Sequence, residues 1–101
     1  MEIKIDKKVE KFLLRLDKKV IAKVLRLIDL LERFGYKLGM PQSKKIMDNI
    51  FELRIHGKQE VRILYTFKKS IIILLHGFIK KSQKISKQEL SAAIKRLKDL
   101  T

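Results

Sequence analysis

The sequence predicts an α+β fold in which two N-terminal helices pack on a small antiparallel β-sheet and a C-terminal helix follows. Three observations predict it. Apolar residues recur at helical spacing from Val9 to Leu31, the period then switches to two between Phe51 and Phe67, and a helix-start signature appears at Ser86. Runs of helix followed by runs of strand joined as hairpins give α+β rather than a parallel α/β sheet. The 101 residues fit one domain, spanning 1–101, and no internal repeat or linker interrupts them.

Glu2-Ile3-Lys4-Ile5 alternates and reads as a short half-buried strand. Asp6 is placed to cap a helix reaching about Leu16, with Val9, Phe12, Leu13 and Leu16 on one face. Asp17 is placed to cap a second helix. Its stripe is Val20, Ile21, Val24, Leu25, Ile28 and Leu31, widened by Leu27, Leu30 and Phe34, and Gly35 stops it. The two helices are expected to pair antiparallel on the sheet. Gly39, Pro41 and Ser43 mark a loop. Phe51, Leu53 and Ile55 then alternate with Glu52, Arg54 and His56, and Val61, Ile63, Tyr65 and Phe67 alternate with Arg62, Leu64 and Thr66. Ile71 to Leu75 is continuously apolar, as a strand covered on both faces requires. Ser86-Lys87-Gln88-Glu89 has the form of a capping box, and Leu90, Ala93, Ile94 and Leu97 follow on one helical stripe.

Register follows from the pattern. A slip of one residue would turn a whole apolar set into water, so Ile55 must pair with Val61, leaving Gly57-Lys58-Gln59 as the loop. Arg54 then stands opposite Arg62 on the other face. Like charges directly opposed are unfavourable unless they close on an anion such as a phosphate, or unless Glu52 or Glu60 neutralises them. At the next turn, Lys68-Lys69 supplies no Gly or Asn for a two-residue hairpin. A three-residue loop pairing Phe67 with Ile71 and Arg62 with His76 is therefore expected, and it brings His76, Phe78 and Lys80 onto the arginine face.

Charge narrows the function. Lys and Arg number 25 against 11 Asp and Glu, for a net charge of +14. From Val61 to Gln88 there is no acid at all, yet Arg62, Lys68, Lys69, Lys80, Lys81, Lys84 and Lys87 fall there. A lysine-rich composition accounts for the lysines but not for the missing acids, and one-signed charge points to an anionic partner, either nucleic acid or an acidic protein. The chain has no cysteine, which removes thiol nucleophiles, disulfides and zinc–cysteine sites. No apolar run approaches the ~18–20 residues of a membrane span, and Met1-Glu2-Ile3-Lys4 lacks a secretory pattern. A cytoplasmic protein is expected. His56 and His76 form no motif, the four glycines are scattered singly, and no converging carboxylates suggest a metal site, so neither metal nor other cofactor is expected.

Three segments carry a resemblance. Ile50-Phe51-Glu52-Leu53-Arg54-Ile55 is followed by Val61-Arg62-Ile63-Leu64-Tyr65, then by Leu75-His76-Gly77-Phe78-Ile79-Lys80-Lys81-Ser82-Gln83-Lys84, and the series ends in Glu89-Leu90 and Ala92-Ala93-Ile94. In that order and spacing they resemble the RelE/ParE toxin superfamily, in its HigB-like, phage-derived branch. The resemblance runs from about Lys45 to Leu97, and the N-terminal helices match in layout and length only. It implies a RelE-like fold and the toxin of a type II toxin–antitoxin pair. Such a toxin is a metal-independent endoribonuclease that cuts mRNA in the ribosomal A site and is neutralised by a cognate antitoxin, often of helix-turn-helix type. Arg62 resembles the family's strand arginine, and Lys80-Lys81 its second basic site.

On this reading Arg62, Lys80, Lys81 and Lys84 are the catalytic candidates. Arg54, Lys44, Lys45, Lys58, Lys87 and His76 are the RNA-binding candidates. The general acid and base stay open: Lys84 or Lys81 with a pKa lowered by neighbouring cations, and Glu52 or His76 as base. Ile85-Ser86-Lys87 stands where RelE-type enzymes often carry a tyrosine, and Ile50 and Glu52 stand at their strand lysines. Two other classes compete: a ParE-like protein that poisons DNA gyrase without chemistry, and a non-toxic basic nucleic-acid-binding module. Neither Arg62 nor Lys81 belongs to an apolar stripe, so alanine at either is expected to keep the fold.

Overall fold

The computed structural model describes residues 1–100. The elements are β1 (Glu2–Ile5), α1 (Lys7–Leu14), α2 (Lys18–Phe34), a 3₁₀ turn (Gly35–Lys37), β2 (Ser43–Met47), β3 (Ile50–Ile55), β4 (Val61–Lys68), β5 (Ile71–Ile79) and α3 (Lys87–Asp99). The strands form one sheet in the order β1-β5-β4-β3-β2. The class is α+β, but the sheet is mixed rather than antiparallel: β1 runs parallel to β5, with Ile3 opposite Ile72, and the other pairs are antiparallel.

Helices cover both faces. On one face Val9, Leu13, Leu16, Val20, Val24 and Leu31 meet Leu53, Ile55, Val61, Ile63, Tyr65, Ile72 and Leu74. On the other, Ala93 of α3, flanked by Leu90, Ile94 and Leu97, meets Ile50, Leu64, Leu75 and Phe78. This is the two-sided burial that a continuous apolar β5 requires. The expected antiparallel helix pair is corrected: α1 lies over β5 and α2 over β3, so each helix spends its stripe on the sheet. Leu25 and Phe34 fall outside the buried stripe, at 55% and 52% exposure. Gly77 permits the close approach of α1, since a Cβ there would stand 2.6 Å from the Phe12 ring.

Local chemistry sets the ends. The Asp6 carboxylate accepts from Lys8 N at 2.8 Å, whereas Asp17 occupies its cap position without a side-chain bond. Gly35 ends α2 at φ +51°, and a Cβ there would meet Met1 Sδ at 2.7 Å. Ser86 Oγ accepts from Glu89 N. The reciprocal half of the capping box does not form, because the Glu89 carboxylate is engaged with His76.

The β3–β4 register is the expected one, with Ile55 opposite Val61 and Arg54 opposite Arg62. The β4–β5 register is not. Lys68 pairs with Ile71 across a two-residue Lys69-Ser70 turn. Both of its residues sit at positive φ, 49° and 65°, the primed-turn geometry usually given to Gly or Asn. A bulge between Leu64 and Tyr65 shifts the ladder once more, so Arg62 faces Phe78 and His76 faces Leu64. The segment read as loop also changes: Ser43 opens the edge strand β2, whose register shifts between Lys45 and Met47.

Candidate functional site

The β3–β4 ladder places Glu52, Arg54 and Arg62 on the α3 side of the sheet. The opposed arginines do not close on open space. The carboxylate of Glu52, 2% exposed, lies between them, with Oε1 3.5 Å from Arg54 Nε and Oε2 3.7 Å from Arg62 Nε. The neutralising alternative therefore holds, and the expectation of a phosphate gripped between Arg54 and Arg62 is corrected. The atoms are within ion-pair range but poorly aligned, and Glu52 Oε2, Arg54 Nε and Arg62 Nε are buried without a hydrogen-bond partner among the described residues. Arg62 itself is 3% exposed, so its even position in the strand does not mean a solvated side chain.

Arg62 reaches the surface on its other side. Nη1 donates to Val61 O at 3.0 Å, and Nη2 donates to Glu60 Oε1 at 3.2 Å. Beside this contact is a cavity of about 340 Å³ lined by Glu60, Arg62, Lys80, Lys81, Ser82 and Gln83. A second cavity of about 270 Å³ shares Lys80, Lys81 and Ser82 and adds Lys84, Ser86 and Glu89. All four catalytic candidates thus line one basin running from the end of β5 to the start of α3. Among the described residues Lys80, Lys81 and Lys84 form no ion pair. Their charge is uncompensated where it faces solvent.

The RNA-binding candidates divide. Lys44 pairs with Glu52 in the β2–β3 register and so shares the basin's side of the sheet, and Lys87 is exposed in the first turn of α3 beside Ser86. Lys45 pairs with Phe51 across the strands and forms an ion pair with Asp48 at 3.7 Å. Lys58 lines a different cavity with Arg15, Asp17 and Val20, on the side of the N-terminal helices. Arg54 is held by Glu52, with Nη1 on Met40 Sδ at 3.7 Å.

His76 is fixed at both ring nitrogens. Arg96 Nη1 reaches Nδ1 at 3.1 Å. Arginine has only donors, so Nδ1 is the acceptor and Nε2 carries the proton given to Glu89 Oε1 at 2.9 Å. The ring also lies against Phe78, with centroids 5.8 Å apart. His76 is a strut between β5 and α3, with neither nitrogen free to accept a substrate proton. Glu52 is equally enclosed. No tyrosine replaces them: the Tyr65 hydroxyl is bonded to Ser43 Oγ within the opposite core, where burial raises its pKa, and Tyr36 stacks on Phe67 of that same side.

The sequence offers Glu60 as a neutraliser of the arginines, which it is for Arg62, but gives no place at the basin to the pair it makes with His56. Glu60 Oε1 accepts from His56 Nδ1 at 2.9 Å as well as from Arg62, and Oε2 accepts from Gly57 N at 3.1 Å. The signal was present only as Glu60 standing two residues before Arg62 on a turn. These bonds, His56 first and Gly57 N–H next, hold the Glu60 carboxyl at about 2, well below the ordinary range. The sign follows. A carboxyl whose folded pKa lies below its unfolded value of about 4.5 stabilises the fold fully above that pH, and loses this as pH falls to about 2. Glu60→Gln should therefore unfold at lower urea than the parent near neutral pH, with the two midpoints converging across that acid window. A gap independent of pH would contradict the role given to these bonds.

No helix of the described residues is long and apolar enough to cross a membrane. There is no match among curated proteins. Two solved structures share the fold. One is a chain of the heterotetrameric YoeB–YefM toxin–antitoxin complex from Staphylococcus aureus, 22% identical with a TM-score of 0.55, covering 73% of this chain and 90% of that one. The other is from a YoeB–YefM complex of the same organism, 20% identical with a TM-score of 0.57, covering 81% and 97%. The model of the phage-derived Gp49-like proteins matches residues 11–98, a span that takes in the sheet from β2 to β5 and the whole basin, and the chain belongs to that family.

Proposed function

We propose that this chain is the toxin of a type II toxin–antitoxin pair, in the HigB-like branch of the RelE/ParE superfamily, acting in the cytoplasm as a ribosome-dependent, metal-independent mRNA endoribonuclease. The observation that carries the reading is the basin itself: Lys80, Lys81 and Lys84, without ion-pair partners among the described residues, beside the outer edge of Arg62. The fold shared with YoeB–YefM complexes and the ordered series from Phe51 to Lys84 support it.

The reaction is attack of an RNA 2′-oxygen on its adjacent phosphorus. A P–O2′ bond forms, the P–O5′ bond breaks, the 2′-hydroxyl gives up its proton to solvent water in the open basin and the leaving 5′-oxygen gains one. The phosphorane-like transition state gathers negative charge on its non-bridging oxygens, which Lys80 and Lys81 are placed to meet. Arg62, pinned by Glu52 from within, contributes a fixed positive edge. Lys84 or Lys81 serves as proton donor to the leaving oxygen. A cognate antitoxin, of helix-turn-helix type with an acidic segment, neutralises the toxin by covering this charge.

Inducing the chain alone in bacteria should arrest growth, with translation falling before DNA synthesis. Gyrase-linked DNA breaks preceding any fall in translation would favour the ParE-like alternative, and normal growth the binding module.

A further inference from the structure

We infer that the cavity of Arg62, Lys80, Lys81, Ser82 and Gln83 is a phosphodiester-binding site whose anion position is filled, in the free chain, by the carboxylate of Glu60. The inference rests on the reading that this basin handles RNA, and it adds a competitor built into the chain.

The three guanidinium nitrogens of Arg62 have three different partners: Nε faces Glu52, Nη1 the Val61 carbonyl and Nη2 Glu60. Of these partner groups, only Glu60 lines the cavity. A carboxylate and a phosphate make the same demand on a guanidinium, an anionic oxygen in line with its N–H. An incoming phosphate therefore takes Nη2 by displacing Glu60. The local architecture suits such an exchange. The Glu60 backbone is anchored, its carbonyl accepting from Lys80 N at 2.7 Å. Its side chain is 40% exposed and held by two further bonds within the same turn, from His56 Nδ1 and Gly57 N. Once displaced, the carboxylate has open solvent to enter. A tethered anion competes at a high effective concentration, so the apparent affinity for RNA falls by the fraction of molecules in which Glu60 is off.

The test is fluorescence anisotropy of the full chain with a 2′-O-methyl RNA oligonucleotide, which binds and cannot be cleaved. Glu60→Gln keeps an acceptor for Gly57 N and loses the charge. It should bind about tenfold tighter, the gain expected if roughly one molecule in ten is open in the parent, with the log–log salt slope unchanged, because the parent makes the same phosphate contacts once Glu60 is displaced. Glu10→Gln, which removes a carboxylate from the exposed face of α1, reports the general effect of charge and should change affinity little. His56→Gln loosens the hold on Glu60 without removing the carboxylate, and should also tighten binding, which simple repulsion by Glu60 would not produce. Glu60→Asp, one methylene shorter, serves if the Gln variant does not fold.

A gain in Glu60→Gln no larger than in Glu10→Gln, or no gain in His56→Gln, overturns the internal competitor. Lys81→Ala separates this failure from that of the parent reading. If Lys81→Ala weakens binding while Glu60→Gln gains nothing, the basin stands and the competitor falls. If Lys81→Ala binds as the parent does, the basin is not a phosphate site and both fall.

Discussion

Alanine at Lys81 is expected to lower ribosome-dependent mRNA cleavage by about 10²–10³-fold, the loss typical when one oriented charge-stabilising donor is removed from an acyl- or phosphoryl-transfer site. The thermal midpoint should stay close to the parent's. Lys81 is exposed, lines both halves of the basin and forms no ion pair among the described residues, so the fold loses little beyond a surface side chain. Lys80→Ala should follow in the same direction. Cleavage at the parental rate with an unchanged melt would place the chemistry elsewhere on the chain.

The second large effect is on stability. Glu52→Ala should destabilise the chain by roughly 3–5 kcal/mol, because removing one partner strands buried opposite charge. Here it takes the ion pair from Arg54 and leaves Arg62 with Glu60 alone, and the Nε atoms of both already lack hydrogen-bond partners among the described residues. That rivals the roughly 2–5 kcal/mol expected of Leu53→Ala, a fully buried leucine of the same strand. Arg62→Ala belongs with this group and not with Lys81→Ala. The expectation that it keeps the fold rested on its polar position in the strand, and burial between Glu52 and Glu60 overturns it. Replacing Glu52 and Arg62 together by apolar residues of similar volume should recover part of the loss, since the desolvation of both charges disappears with them. Urea unfolding of the two single variants and the double variant checks this. A double variant as unstable as the sum of the singles would show that the pair is not coupled.

What the sequence could disclose followed from periodicity. The first hairpin was legible because both strands carry one apolar set each, and only one register buries both; Arg54 opposite Arg62 came with it. The second hairpin was not. The run Ile71–Leu75 fits either parity, so nothing in the pattern excluded the left-handed Lys69-Ser70 turn or the bulge at Leu64/Tyr65. Strand β2 was hidden because Ser43-Lys44-Lys45-Ile46-Met47 does not alternate, and its pairing with β3 supplies what its own residues do not. At the site, the basic run named Lys80, Lys81 and Lys84, and the fold sets all three around one cavity. Glu52 and Glu60 were legible as alternative neutralisers of the arginines, but which carboxylate meets which guanidinium was not, nor was the hold of Glu89 on His76, because each acts through space. Acid counts along the chain show where charge is uncompensated, not which buried cation already has its partner.

The proposed function stands or falls with cleavage of mRNA on the ribosome by the Arg62–Lys80–Lys81–Lys84 basin. Its most direct measurement is incubation of the purified chain with mRNA-programmed ribosomes and no added metal beyond that needed to keep the ribosomes intact, followed by mapping of the cleaved ends. The account predicts cuts within the A-site codon, upstream fragments ending in a cyclic 2′,3′-phosphate, no cutting of the same mRNA without ribosomes, and a loss of about 10²–10³-fold in Lys81→Ala. Intact mRNA under these conditions, or cutting that Lys81→Ala leaves untouched, would contradict it.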